Sequence, residues 1–166
     1  MTVDAMLRKA FGDDEAAKIQ RAGRATMESS GTEIRTYQPD ISSGTAPASP
    51  AAHYLVTRTE IVPERIAHYL FAMSKIRAAE SKASGAPPRA SHRVTEGNRW
   101  VFVSATPFAN GAERDRWPEF DDFMSAYSTQ EREQIMDALR GSMVSSEWYE
   151  VVYRPDLSYT AGAATN

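Results

Sequence analysis

Few residues in this chain have the chemistry to bind a metal ion or catalyse a reaction, and their spacing narrows the options further. There are three histidines, His53, His68 and His92. A haem or divalent metal ion needs a ring nitrogen facing a cavity and a partner fixing the other nitrogen. None of the three stands at a ligand spacing to another His, Asp or Glu, so neither a metal nor a cofactor is expected. His53 begins a strand, and His68 falls off the apolar stripe of its helix. His92 is the best placed, because a hairpin strand can turn it toward a sheet face. Asp115, Glu119, Asp121 and Asp122 lack the ordered spacing and glycine of a hard-cation loop, and read instead as acidic residues at a helix start. The absence of cysteine excludes thiolate chemistry and disulfides. No G-x-S-x-G motif and no glycine-rich phosphate loop is present.

What remains is a set of aromatic and cationic residues on two strands. By the two-residue period of a strand, Tyr54, Val56 and Arg58 share one face, and Trp100, Phe102 and Ser104 share a face of the neighbouring strand. The expected ligand pocket is Tyr54, Arg58, His92, Trp100 and Phe102. An arginine among aromatic rings can hold a carboxylate or enolate while the rings stack on the ligand. No residue is singled out as catalytic.

The elements that must position these residues are readable from punctuation. His53 to Ile61 alternates as a strand, Pro63 sits at a helix start, and Ile66, Tyr69, Leu70, Met73 and Ile76 form an amphipathic face ended by Gly85, Pro87 and Pro88. Ala90 to Thr95 and Arg99 to Ala105 are two strands joined by a turn at Glu96-Gly97-Asn98. The stretch from Thr106 to Met124 is a long irregular connection with one helical turn near its end. Ser128 and Glu131 form a capping box, and Ile135, Ala138, Leu139 and Met143 follow at helical spacing until the Ser145-Ser146 pair. Trp148 to Tyr153 is a strand closed by Pro155. From Tyr54 onward the order is strand, helix, strand, strand, helix, strand, the split βαβ or ferredoxin-like order.

The first forty residues repeat the end of that pattern. With an offset of 116, Leu7 to Ser42 lies without a gap on Phe123 to Ser158 with identity at 12 of 36 positions, among them Glu15/Glu131, Ile19/Ile135, Met27/Met143, Tyr37/Tyr153 and Pro39/Pro155. A repeat at a fixed offset marks one supersecondary unit used twice. Gly12 takes the cap position of the first copy, Ile19, Ala22 and Met27 carry its buried stripe, and Thr32 to Tyr37 is its strand. The predicted organisation is therefore a helix-strand unit over 1–42, a linker over 43–52, a ferredoxin-like domain over 53–160 and a disordered tail over 161–166. The first copy lacks the two-thirds of a domain that should precede it, which puts in question whether Met1 is the start of the gene.

With 42% hydrophobic and 25% charged residues, net charge -3 and pI near 5.7, the composition is that of a globular protein. Lysine and arginine are scattered, so nucleic acid is not an expected partner. No segment approaches the apolar length of a membrane span, and a cytoplasmic protein without a membrane partner is expected.

The hairpin ending in Trp100-Val101-Phe102-Val103-Ser104-Ala105-Thr106-Pro107-Phe108 and the closing Tyr153-Arg154-Pro155-Asp156-Leu157-Ser158 resemble the dimeric α/β-barrel superfamily. The resemblance implies an antiparallel α+β sheet with helices on one face. It also implies two such sheets meeting face to face, from two chains or from tandem domains, and the repeat makes a second copy of the chain the expected partner, in a homodimer or by strand exchange through the N-terminal unit. Members range from cofactor-independent monooxygenases and isomerases to ligand-sensing domains, and the fold alone does not choose among them. The expected function is small-molecule binding or assembly. The alternative is a cofactor-independent oxygenase or isomerase acting on an aromatic or polycyclic molecule.

Overall fold

The computed structural model describes residues 8–26, 33–45, 47 and 49–155. Met27, Ser29, Ser30, Asp156 and Ser158 of the repeat, and the tail over 161–166, lie outside the described residues. The chain divides into two units, Met1–Thr32 and Glu33–Asn166.

In the first unit a helical turn over 8–11 leads into helix α1 (Asp13–Thr26). Gly12 joins them with φ +79°, a conformation that suits glycine. Its amide closes on the Arg8 carbonyl at 3.0 Å, and its own carbonyl accepts from Ala16 at 3.0 Å. Asp13, Asp14 and Glu15 occupy the first turn, where negative charge favours the helix dipole. Ile19, expected on a buried stripe, is 38% exposed.

The second unit is an α+β fold around a five-stranded antiparallel sheet. Its elements are β1 (Ile34–Tyr37), β2 (His53–Ile61), α2 (Ile66–Glu80), β3 (Ala90–Glu96), β4 (Val101–Phe108), α3 (Gly111–Arg114), α4 (Phe120–Met124), α5 (Thr129–Arg140) and β5 (Met143–Val152). The strand order is β1-β3-β4-β2-β5, so the short β1 and the long β5 form opposite edges. Pro63 opens a 3-10 turn that runs into α2. Tyr69, Ala72, Met73 and Ile76 then face one side of the sheet and bury Ile61 and Phe102, together with Ile41, Met124 and Ile135. The Tyr69 and Phe102 rings lie 4.7 Å apart. Burial raises the Tyr69 phenol above the usual tyrosine value, with the Arg77 charge and Thr59 opposing it.

Helix α5 begins at the expected capping box. The Ser128 hydroxyl accepts from the Glu131 amide at 3.3 Å, and Glu131 accepts from the Ser128 amide at 2.9 Å. These bonds hold the Glu131 carboxyl below its usual value. The helix ends sooner than its apolar spacing predicts. Gly141 closes it with a bond to the Asp137 carbonyl, and Met143 already pairs with Ile61 of β2. Met143, Ser145 and Ser146 therefore belong to β5 rather than to the helix, and the Ser146 hydroxyl reaches Thr59 at 3.2 Å.

The connection between β4 and α5 carries two short helices. Asn110 caps α3, and Glu119 with Asp122 forms a capping box on α4, so this part of the acidic cluster does helix-start work.

Candidate functional site

Residues directly opposite one another on antiparallel strands share a face. Arg58 stands opposite Val103, and Thr59 opposite Phe102. Phe102 consequently lies on the helix-covered face, 1% exposed in the core, with Trp100 packed against the same cluster. Tyr54, Arg58 and His92 lie on the other face, beside Val56, Val94, Val101 and Val103. The five residues read as one pocket are thus divided between two faces. What the structure brings together is Tyr54, Arg58 and His92, joined by residues from β1.

Arg58 binds Glu33 at 2.9 Å, and the same carboxylate holds Arg35 at 2.9 Å. Arg58 Nη1 is out of solvent without a hydrogen-bond partner. His92 pairs with Tyr37, their rings edge to face at 5.5 Å. Partial burial, with the Arg35 charge nearby, lowers the His92 imidazole below its usual value.

Beside this group a cleft of about 380 Å³ opens between the tyrosines and the proline-rich segment before β2. Tyr37, Tyr54, Pro47, Pro50, Pro88 and Pro107 supply half of its lining residues, and Ser43 and Arg89 its polar end. Tyr54 is fixed by accepting from the Ala51 amide at 2.9 Å. The segment whose composition reads as a linker therefore builds one side of the cleft. Ser43 is tied to Arg89 by reciprocal backbone bonds of 2.9 and 2.7 Å.

Behind the polar end lies a buried ion group. Glu80 binds Arg77 at 2.5 Å and Arg89 at 3.2 Å, and it accepts from the Ser43 hydroxyl at 3.2 Å. Arg77 also donates from Nε to the Ile41 carbonyl at 3.1 Å. Two guanidinium groups thus share one carboxylate. Arg89 Nε has neither solvent nor a hydrogen-bond partner. Desolvation and the neighbouring Arg77 charge lower the Arg89 guanidinium to about 10, with Glu80 opposing them. It remains a cation at neutral pH. This group has a signal in the sequence that the histidine and aromatic residues do not carry: the buried positions Tyr69, Met73 and Ile76 lead at helical spacing to Glu80. A carboxylate in a core stripe is a signal for a buried partner.

Among the described residues no three His, Asp or Glu side chains converge as a metal site, and no helix is long and apolar enough to cross a membrane. No family model matches the chain, and no curated protein or solved structure is found to match it.

Proposed function

We propose that the second unit is a ferredoxin-like domain of the dimeric α/β-barrel type, and that it binds a small amphipathic anion in the cleft of Tyr37, Tyr54 and Arg89. The fold reading is supported by the element order β2-α2-β3-β4-α5-β5, with β2 and β4 central and β1 added beside β3. On this reading β1 and β5 are the closing strands of two copies of one helix-strand unit, and a second copy of the chain is the expected protein partner.

The binding reading rests on a single observation: Arg77 and Arg89 are balanced by one carboxylate at the polar end of a cleft whose wall is proline and tyrosine. A buried uncompensated cation is costly, and an anion that enters the cleft relieves that cost. The wall selects an apolar body, and the guanidinium selects a carboxylate or phosphate head. Within the cleft the Ser43 hydroxyl is already committed to Glu80, so the arrangement serves holding rather than transformation of the ligand.

Titration with octanoate, followed through the amide resonances of Ala90 and Ala105 at the cleft wall, tests this. Saturable shifts are expected, with octanol binding far more weakly. Arg89→Gln is expected to weaken octanoate by about tenfold or more, the scale of one charge-assisted hydrogen bond. Equal binding of octanol, or unchanged affinity in Arg89→Gln, overturns the reading.

A further inference from the structure

The helix-bearing face of the sheet holds a second group of side chains, away from the cleft. Helix cover reaches Thr59 and Phe102, whereas Leu55 and Thr57, further back along β2, are only partly buried. Thr57 pairs with Trp148 of β5, and Leu55 with Glu150, so the four adjoin on this face. Trp148 is 72% exposed. With Leu55, Thr57 and Arg114 it lines a groove of about 430 Å³.

The wall carrying Arg114 is built rather than loose. Asn110 caps α3 by accepting from the Glu113 amide at 3.0 Å, and the Glu113 carboxylate returns to the Ala109 amide at 2.7 Å. Trp117 packs edge-on against Phe108 at 5.8 Å, and the Arg114 guanidinium sits 5.9 Å from the centre of the same Phe108 ring. Beneath it, His53 stacks on Phe108 and donates from Nδ1 to Glu150 Oε1 at 2.7 Å. An ionised carboxylate only accepts, which places the proton on Nδ1. Glu150 Oε2 is 3.6 Å from Arg114, too far for a hydrogen bond, so the carboxylate attracts the guanidinium without engaging its donors.

We propose that this groove is a binding site for a planar aromatic carboxylate, its ring lying on the Trp148 indole over Leu55 and Thr57 and its carboxylate taken by the uncommitted donors of Arg114. The indole face supplies a flat apolar platform, and the guanidinium fork matches a carboxylate in two parallel bonds. A volume of this order accommodates one or two fused rings. His53 is a positioning residue: by holding Glu150 Oε1 it keeps that carboxylate from closing on Arg114.

The probe is 2-naphthoate, added to the full-length protein while the three tryptophan indole N–H resonances are followed by heteronuclear NMR. The Trp148 signal is expected to move saturably at millimolar ligand or below, while that of Trp100, packed against the core, stays in place. Arg114→Gln is expected to weaken binding by about tenfold or more, and the neutral isostere 2-naphthamide to bind as weakly to wild type. Trp148→Ala should abolish the effect as read from the Leu55 methyl groups; both variant positions are exposed, and far-UV circular dichroism checks that each is folded. A Trp148 signal that never saturates overturns the site, and 2-naphthamide binding as well as 2-naphthoate overturns the carboxylate assignment. The cleft on the other face is reported separately by Ala90 and Ala105, so either site can fail without the other.

Discussion

Glu80 takes hydrogen bonds from Arg77 and Ser43 and faces Arg89, so a single carboxylate holds two guanidinium groups at the edge of the core. Removing one partner of a buried ion group leaves the others charged and unpaired, which costs about 3–5 kcal/mol, far more than an exposed pair is worth. Glu80→Gln keeps the side-chain shape and should therefore lower the unfolding free energy by about that amount in urea. A loss within the range of a surface substitution would mean that the two arginines are solvated in the folded state. At this scale the sequence is informative about identity and poor about direction. Tyr54 and Arg58 do share a face, as their spacing implies, and His92 joins them. Trp100 and Phe102, expected in the same pocket, lie on the opposite face, because the face a residue takes depends on the register between β2 and β4. A one-residue slip in pairing moves every side chain to the opposite side.

That register is set by the hairpin between β3 and β4. Gly97 has φ +110°, outside the conformations available to other residues without strain. Next to it the Asn98 side chain accepts from the Trp100 amide at 3.1 Å and donates to Glu60 of β2 at 2.8 Å. These bonds delay β4 until Val101, two residues later than the sequence implies, and tie the turn to the strand that β4 must meet. A Cβ at Gly97 meets only Val94 Cγ1, at 3.5 Å, and Glu33 Cγ at 4.0 Å, so the cost of Gly97→Ala is backbone strain rather than a clash. Thermal or urea unfolding should show a loss of about 1–2 kcal/mol, the usual penalty for a Cβ at positive φ. A neutral substitution would mean that the turn relaxes, and Phe102 packing should then be disturbed. The end of α5 was illegible for a related reason. Met143 continues the helical stripe and also begins an alternating strand, so periodicity alone cannot choose. Gly141, with its bond back to Asp137, decides for the strand.

Among the described residues, the core clusters of the second unit draw on positions from Ile41 to Leu139. Among the described residues its sheet consists of β1 through β5, and β1 begins at Ile34, just inside the boundary at Glu33. Glu33 itself belongs to this unit through its bonds to Arg35 and Arg58. A domain that buries its own apolar surface and closes its own hydrogen bonds can fold alone. A fragment beginning at Glu33 is therefore expected to unfold in a single cooperative transition, with its denaturant dependence reduced only in proportion to its shorter length. A fragment beginning after Gln38 removes β1, exposes the outer edge of β3 and deprives Arg58 of Glu33, and should be distinctly less stable than the first. Sedimentation of both fragments beside the full chain then separates two roles of the first unit. Self-association of the full chain that is lost in the fragment beginning at Glu33 places the contact in Met1–Thr32. Association that survives the truncation places it in the sheet unit itself.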